Sequence, residues 1–430
     1  MNVLIIGGGG REHALAAKIV ESPQCDKLFI APGNPGTAKV GENVNLDSKD
    51  VPKIVEFCNF NKIKLVVVGP EQPLVDGLAD ELRDNHIAVF GPGKDGAQIE
   101  GDKAFSKQMM FGYKIPTADF VRFKRENHDA ALEYLNMKEY PVVIKATGLA
   151  AGKGVLICEN FEEAKKALSD IFVDSIFGVS GDAVVIEEFL KGEEASIFVI
   201  TDGKDYQILP ASQDHKRIGD NDTGKNTGGM GAYAPAPVMS SMALQCVDME
   251  IIQPTMEALW DKEIDYRGCI YIGLMITKDG PKVIEYNCRF GDPETQVVLP
   301  LLEGDFLELL KSAAYGKLNK ECCVYKTGTA ICVVASAGGY PDAYEKGDEI
   351  SGLETVEDDS IYVYHAGTKA ENEKIVTNGG RVLGVTAIIK DNDIKLCKTK
   401  AYEAISKINF KGIHFRKDIS DKAFNKTPFI

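Results

Sequence analysis

The first hundred residues alternate short apolar runs with amphipathic segments, and this order restricts the possible folds more than any other feature of the chain. The apolar runs read NVLIIG, KLFIAPG, LVVVGPE and AVFGPG, and helical patterns such as REHALAAKIVES lie between them. Apolar strands that alternate with helices predict a parallel, doubly wound α/β sheet whose strands are buried on both faces. Ligands of such sheets bind at the carboxyl ends of the strands, which here read GGGGREH, APGNPGT and GPE.

The glycine run after the first strand is similar to a dinucleotide-binding fingerprint but does not have its spacing. With Gly7 and Gly9 as the first two glycines, Glu12 occupies the third position, and no acidic residue ends the second strand. These departures argue against NAD. Two interpretations stay open: a tight turn needed only for packing, or a helix N-terminus whose N–H groups hold a phosphate or a sugar. Glu71, at the end of another strand of this sheet, favours the ligand site.

From about residue 102 the pattern changes to a mixed region and then to a mainly β region. A helical segment, KAFSKQMMFGY, precedes strand-rich stretches such as PVVIKATGLAAGKGV and AVVIEEFL, and the last hundred residues alternate strands with glycine-rich turns. The predicted fold class is therefore α/β and α+β in several domains, which the length of 430 residues also suggests.

Composition excludes several classes of protein. The formal charge of −15 argues against a nucleic-acid partner held by general electrostatics, so an anionic substrate requires a local cluster of cations. We find no signal-peptide pattern and no apolar run long enough to span a membrane, and we expect a cytoplasmic protein without a membrane partner. The ten cysteines have neither zinc-site nor disulfide-framework spacing, and we interpret them as reduced, non-catalytic thiols.

A glycine-rich loop after a buried strand indicates a nucleotide site. Lys145 lies on the predicted strand, and Gly148, Gly152, Lys153 and Gly154 follow it in the loop. The pattern is not a Walker A loop, because glycine rather than Ser or Thr follows the loop lysine. A flexible loop that closes over phosphates, with a strand lysine paired to them, is the other way to hold a triphosphate.

Two further strand segments contain polar groups that could either bind a ligand or simply lie exposed to solvent. In VVIEEFLKGEEAS the backbone can read an adenine edge and Glu193 or Glu194 can accept from ribose hydroxyls, although a solvated strand end has the same composition. Glu285 and Asn287 alternate along one strand and so share a face. Such a pair of oxygen ligands suits magnesium, which fills its remaining positions with water and phosphate oxygens, but it also occurs on exposed strands.

Seven segments together resemble the ATP-grasp ligases, and within them the glycinamide ribonucleotide synthetase (phosphoribosylamine–glycine ligase) family. They are GGGGREHA, APGNPGT, GPEQPLV, EGDKAFSK, IKATGLAAGKGV, SQDHKRIGDNDTGKNTGGMGAY and EYNCRFGDPETQ. The last two are specific, because carboxylases and D-alanine ligases share only the general ATP fold.

The resemblance implies three domains and one reaction. The domains are a Rossmann-like domain over residues 1–101, an ATP-grasp domain over 102–325 with a mobile lid subdomain at about 118–188, and a mainly β domain over 326–430. The implied reaction joins glycine to 5-phosphoribosylamine with ATP through glycyl phosphate, giving glycinamide ribonucleotide, ADP and phosphate in de novo purine (IMP) biosynthesis. Positioning and charge stabilisation suffice for this chemistry, and no protein nucleophile is needed.

The resemblance also implies roles for individual residues. Catalytic roles fall to Lys145, Asp214 and Arg289, and the metal, Mg²⁺ or Mn²⁺, to Glu285 and Asn287. The ATP contacts are Lys103, Lys145, Gly152, Lys153, Gly154, Glu187, Glu188, Phe189, Leu190, Glu194 and Asn226. The contacts to glycine and phosphoribosylamine are Gly10, Arg11, Asn34, Glu71, Asp214, Lys216, Arg217, Arg289 and Asp292.

Some alternatives and expectations complete the prediction. Another ATP-grasp enzyme with a different acceptor, such as a carboxylase or another amine ligase, is the second enzyme hypothesis; a nucleotide-binding regulatory protein is the non-enzyme one. Survival of Lys145, Glu285, Asn287 and Arg289 together favours an enzyme. The strand CIYIGLMIT lacks the carboxylate that many ATP-grasp members place there as a metal ligand, and His215 receives no catalytic role. We expect a monofunctional monomer or weak homodimer.

Overall fold

In the computed structural model, which describes residues 1–149, 154–356 and 358–424, the first hundred residues form a five-stranded parallel sheet in the order β3-β2-β1-β4-β5. Its strands are β1 (Asn2–Gly7), β2 (Lys27–Pro32), β3 (Glu42–Asn43), β4 (Ile63–Val68) and β5 (Val89–Phe90). The helices between and after them are α1 (Gly10–Ile19), α2 (Val51–Phe60), α3 (Glu71–Asp76), α4 (Leu78–Asp84) and α5 (Lys94–Gly101).

The central strand β1 explains why this sheet is covered on both faces. Val3 and Ile5 belong to one hydrophobic core and Leu4 and Ile6 to another, and all four side chains are buried. β1 pairs with β2 on one side and β4 on the other, so the order in which strands are added reverses at β1. A sheet of this type binds ligands beside such a reversal, at the carboxyl end of β1.

The described residues of the mixed region form twelve strands and five α-helices. Its strands are β6 (Phe120–Lys124), β7 (Val142–Ala146), β8 (Val155–Cys158), β9 (Ala183–Glu188), β10 (Glu193–Thr201), β11 (Tyr206–Ile208), β12 (Gln213–Asp214), β13 (Arg217–Gly219), β14 (Thr223–Asn226), β15 (Gly231–Ala234), β16 (Gly268–Thr277) and β17 (Gly280–Asn287). Its helices are α6 (Lys103–Gly112), α7 (His128–Asn136), α8 (Phe161–Phe172), α9 (Ser241–Val247) and α10 (Gln253–Asp261).

Two antiparallel sheets dominate this region, in the orders β6-β9-β7-β8 and β11-β10-β16-β17. The first packs on α7 and α8 around a small core of its own, which includes Leu135, Ile144 and Leu168. Helix α6 begins where Asp102 caps it, since the Asp102 carboxylate accepts from the backbone N–H of Ala104 at 2.8 Å. The predicted fold class is thus confirmed for both regions.

The remaining elements build a mainly β region. Its strands are β18 (Leu302–Gly304), β19 (Cys323–Tyr325), β20 (Thr329–Ser336), β21 (Ile361–His365), β22 (Thr368–Glu371), β23 (Lys374–Thr377) and β24 (Arg381–Ile389); its helices are α11 (Thr295–Val298), α12 (Phe306–Ala314) and α13 (Ile394–Ile405). The main antiparallel sheet has the order β12-β15-β20-β24-β21. Two strands from the mixed region therefore extend the C-terminal sheet, which ties the segment around Asp214 to the last hundred residues. Within the described ranges no helix has the length and apolar character needed to cross a membrane.

Candidate active site

A cavity of about 740 Å³ lies where the segments singled out in the sequence meet. Eighteen of the predicted site residues line it: Arg11, Glu71, Lys103, Lys145, Gly154, Glu187, Glu188, Phe189, Leu190, Glu194, Asp214, Lys216, Arg217, Asn226, Glu285, Asn287, Arg289 and Asp292. Gly152 and Lys153 lie outside the described residues, and Gly10 and Asn34 are not part of the lining.

Asn34 uses its side chain within the protein. Its amide nitrogen donates to the carbonyls of Gly8 at 2.9 Å and His365 at 2.8 Å, while its amide oxygen accepts from the backbone N–H groups of Gly36 and Thr37. These contacts give the Asn34 side chain a structural role that joins the first sheet to strand β21, while the predicted substrate contact at this position stays a prediction.

The glycine run packs around Glu12, so at Gly7 and Gly9 the glycines serve a tight turn needed for packing. The Glu12 carboxylate accepts from the backbone N–H of Gly9 at 2.6 Å and pairs with the Arg11 guanidinium at 2.6 Å. A side chain at Gly7 would collide with Glu12, since its Cβ would lie 2.5 Å from Glu12 Cγ. Arg11, which also donates to the carbonyl of Phe290 at 3.1 Å, is the group of this segment that reaches the cavity.

Three buried charges form the nucleotide side of the cavity. Lys145 on β7 places its ammonium 2.9 Å from a Glu187 carboxylate oxygen, and the Lys107 ammonium lies 3.2 Å from the same oxygen. The Glu187 side chain is thus the counter-ion of two lysines, and the adenine contact at this position stays a prediction for its backbone. Lys107 was missed by the sequence analysis, although its position four residues after Lys103 places both on one face of helix α6.

Glu285 and Asn287 lie on one face of β17 and both line the cavity. Burial acts to raise the pKa of Glu285, but nearby cations, led by Lys216 and Lys145, hold that pKa below its ordinary value. Lys216 bridges this face, with its ammonium 3.0 Å from Glu194 and 3.9 Å from Glu285. The described residues contain no cluster of three or more His, Cys, Asp or Glu arranged for a metal. One carboxylate and one amide oxygen beside buried lysines nevertheless fit Mg²⁺, which takes most of its ligands from phosphates and water.

Arg289 is held by two carboxylates from the first hundred residues. Its Nε lies 3.3 Å from Glu71 and its Nη2 2.8 Å from Glu100, and Nη1 donates to the carbonyl of Phe290 at 3.3 Å. Although burial acts to lower it, these carboxylates raise the pKa of Arg289. The contacts use three of the five N–H donors of a guanidinium, so the fork can still meet a phosphoryl group. Glu100 was missed although it begins the segment EGDKAFSK, because within that segment only Lys103 received a role.

Asp214, on β12, is a buried carboxyl group that faces the cavity. Burial, assisted by Glu294 and Glu194 and opposed by Lys216, raises the pKa of Asp214 to about 7. Glu294 also lines the cavity, but it accepts from the hydroxyls of Tyr271 at 3.0 Å and Ser196 at 3.4 Å. These contacts fix Glu294, whereas Asp214 is placed to meet a cationic substrate group.

The C-terminal region supplies cations that the sequence analysis missed. Arg381 donates to the carbonyls of Gly228 at 2.6 Å and Asp292 at 2.7 Å and pairs with the Asp292 carboxylate at 3.3 Å. Lys422 lines the cavity and pairs with Asp222 at 2.7 Å. Both lie in segments that read as ordinary turns, so only their position in three dimensions identifies them. His215 lies buried outside the lining, and burial lowers its pKa to about 3.

Comparison with known proteins agrees with the geometry. The chain matches the phosphoribosylglycinamide synthetase N domain over residues 1–100, its ATP-grasp (A) domain over 101–295 and its C domain over 330–422. It is 46% identical over 420 residues to the phosphoribosylamine–glycine ligase of Caldanaerobacter subterraneus subsp. tengcongensis, covering 98% of this chain and 99% of that relative.

Two solved structures extend the comparison. The crystal structure of the phosphoribosylamine–glycine ligase of Thermotoga maritima is 34% identical and superimposes with a TM-score of 0.83 over 97% of this chain and 100% of that one. The biotin carboxylase domain of the Hydrogenobacter thermophilus 2-oxoglutarate carboxylase, solved with MgADP, ADP and bicarbonate, covers 100% of this chain and 96% of its own with a TM-score of 0.74. At 15% identity that domain shows only the shared fold. The chain belongs to the phosphoribosylglycinamide synthetase family.

Proposed function

We propose that this protein ligates glycine to 5-phosphoribosylamine with cleavage of ATP, giving glycinamide ribonucleotide, ADP and phosphate in purine biosynthesis. The observation that carries the proposal is one cavity lined by phosphate-facing lysines, the pair Glu285 and Asn287, and the segment from Arg289 to Asp292. Family membership supplies the substrates, which the cavity suits: its cations meet anions, and Asp214 meets an ammonium group.

The first step activates a poor acyl donor. A glycine carboxylate oxygen attacks the γ-phosphorus of ATP, the bond between that phosphorus and the β–γ bridging oxygen breaks, and ADP leaves glycyl phosphate behind. Lys103 and Lys145 bind the phosphates, Asp214 binds the glycine ammonium, and Arg289 stabilises the charge on the transferred group. A bound Mg²⁺ or Mn²⁺, held by Glu285 and Asn287, would neutralise phosphate charge.

The second step forms the amide. The amine of phosphoribosylamine attacks the acyl carbon, the bond from that carbon to the phosphorylated oxygen breaks, and the former carboxylate oxygen leaves with phosphate. Gly10, Arg11, Glu71 and Asp292 approach this substrate from the first sheet and the adjoining loop, with Asn34 fixing the shape of that edge. Lys216 and Arg217 contribute positive charge for the phosphate groups.

The remaining residue roles concern the base and ribose of ATP. The backbone from Glu187 to Leu190 reads the adenine, and Glu194 and Asn226 contact the nucleotide from the facing side of the cavity. Gly152, Lys153 and Gly154 are assigned to contacts with the ATP phosphates.

The activity is tested by the release of ADP in the presence of glycine, with and without phosphoribosylamine, and by mass spectrometry of the amide product. Glycine labelled with ¹⁸O in its carboxylate should transfer one label to the released phosphate, because that oxygen attacks phosphorus in the first step. Alanine and bicarbonate serve as competing substrates. ADP release with either of them but not with glycine would refute the substrate assignment, and unlabelled phosphate would refute glycyl phosphate.

The proposal includes the state and organisation of the protein. We propose a cytoplasmic monomer or weak homodimer, with domain boundaries near residues 101 and 325 and a mobile lid at about 118–188. Sedimentation measures the oligomeric state, and limited proteolysis with and without ATP tests the lid.

A further inference from the structure

Lys107 is a charged side chain that the proposed chemistry does not use. It is 2% exposed, lines the cavity, and donates to the Thr117 hydroxyl at 2.7 Å in addition to its pairing with Glu187 at 3.2 Å. Its ammonium also lies 5.4 Å from the centre of the Phe120 ring. A buried charge with this many specific contacts is rare unless the charge has a purpose.

The contacts of Lys107 and Lys145 converge on one irregular point of strand β17. The pairing of β16 with β17 shifts register there: Gly273 opposes Glu285 and Leu274 opposes Val283, which leaves Ile284 as an extra residue. The Lys145 ammonium donates to the carbonyl of Ile284 at 3.0 Å. Thr117, which accepts from Lys107, donates to the carbonyl of Val283 at 2.7 Å.

We propose that Lys107 is a positioning residue which, through Thr117 and the shared Glu187 carboxylate, fixes this bulge and so aims Glu285 and Asn287 at the nucleotide-bound metal. The inference rests on the proposed ATP-dependent function. The bulge directly precedes Glu285, and a bulge redirects the side chains that follow it. Lys145 holds the Ile284 carbonyl directly and Lys107 holds the Val283 carbonyl through the Thr117 hydroxyl. Because one carboxylate ties the two lysines together, they restrict the strand more than either would alone.

The charges support the same role. Glu187 balances only one of its two lysines, so the group carries a net positive charge that favours a bound phosphate. Burial, only partly offset by Glu187 and Glu188 and assisted by Lys145, lowers the pKa of Lys107 to about 8. The Glu187 carboxylate therefore helps to keep the Lys107 ammonium protonated.

The test measures binding as well as turnover in the full chain. The dissociation constant of ATP is determined calorimetrically with Mg²⁺ and again with a chelator for Lys107→Met, Lys107→Arg and wild type, together with the Mg²⁺ concentration that gives half the maximal rate. Lys262→Met is the matched control, because the Lys262 ammonium also lies over an aromatic ring, that of Phe105, but outside the cavity.

We expect Lys107→Met to weaken ATP binding in Mg²⁺ and to raise the half-saturating Mg²⁺ concentration by about tenfold or more, as loss of supporting contacts does at other metal sites. Binding without metal should change little, Lys107→Arg should restore part of the loss, and Lys262→Met should match wild type. Equal weakening with and without Mg²⁺ would overturn the inference, since Lys107 would then contact phosphates directly; so would unchanged binding.

Two further measurements keep the outcome decisive. If Lys107→Met does not fold, Thr117→Val removes the hydroxyl that links Lys107 to Val283 and should reproduce the Mg²⁺-specific loss; ATP binding like that of wild type would refute the link. If wild type binds Mg²⁺-ATP but releases no ADP with glycine, the proposed function fails, while the comparison of ATP binding still decides the role of Lys107.

Discussion

Replacing Arg289 with lysine separates the chemical step from nucleotide binding. The Arg289 side chain is 17% exposed and contacts Glu71 and Glu100 with different nitrogens of its guanidinium. Lysine keeps the positive charge but has a single nitrogen. It cannot hold both carboxylates and still present donors to a phosphoryl group.

The size of the effect follows from these contacts. Loss of one preorganised donor aimed at developing charge costs about 2.7–4 kcal/mol, which lowers kcat by roughly 10²–10³-fold. In the proposed mechanism Lys103 and Lys145 also bind the ATP phosphates, so the KM for ATP should change by less than about threefold. The substitution also removes one charged hydrogen bond from Glu71 or Glu100, and we expect it to lower the free energy of unfolding by about 1.5–3 kcal/mol.

The assay is steady-state ADP release over a range of ATP concentrations at saturating glycine and phosphoribosylamine, with urea unfolding to confirm that the variant is folded. Arg267→Lys is the control, because Arg267 pairs with Asp265 at 2.9 Å but lies outside the cavity lining. A rise in the KM for ATP with kcat unchanged would refute the role given to Arg289.

The metal, interdomain and pH-sensitive groups give further expected outcomes. Glu285→Gln should raise the Mg²⁺ concentration for half-maximal turnover by at least about tenfold; an unchanged requirement would count against Glu285 as a ligand. Asn34→Ala leaves four buried hydrogen-bonding groups without their partner and should lower the free energy of unfolding in urea by roughly 3 kcal/mol, whereas a stability equal to wild type would mean that water replaces the amide. Burial lowers the pKa of His13 and His215 to about 3 and of His365 to about 4, so below about pH 6.5 the unfolded chain gains protons that the folded chain excludes. Stability should therefore fall by about 1.4 kcal/mol per histidine for each pH unit between about pH 6 and pH 4.5, and His365→Gln should reduce that slope by one histidine's share; an identical slope contradicts the assignment.

Local patterns were enough to predict the parts of the fold that depend on neighbouring residues. The first sheet follows from apolar runs that are buried on both faces, as β1 is. The shared face of Glu285 and Asn287 follows from the two-residue period of a strand. The start of α6 at Lys103 likewise follows from the capping side chain before it.

Contacts between distant segments could not be predicted in this way. Nothing near Arg289 in the sequence indicates that Glu100, 189 residues earlier, would pair with it. The Glu187 position was predicted to read adenine through its backbone, but nothing near it in the sequence indicates what its side chain contacts, because Lys107 and Lys145 come from a distant helix and a distant strand. Asn34 has a substrate-like setting in the sequence but meets His365 only after the C-terminal sheet docks.

The charge of the cavity shows how a chain with a net charge of −15 can hold anionic substrates. Among the described residues the cavity is lined by nine Lys or Arg side chains and ten Asp or Glu side chains, so it is close to neutral while the whole protein is strongly negative. Most of those cations already contact a carboxylate, as Lys145 and Arg289 do, and this fixes their geometry before ATP arrives. An incoming phosphate then gains oriented donors without reorganising them, which is the condition under which electrostatic stabilisation of a transition state is most effective.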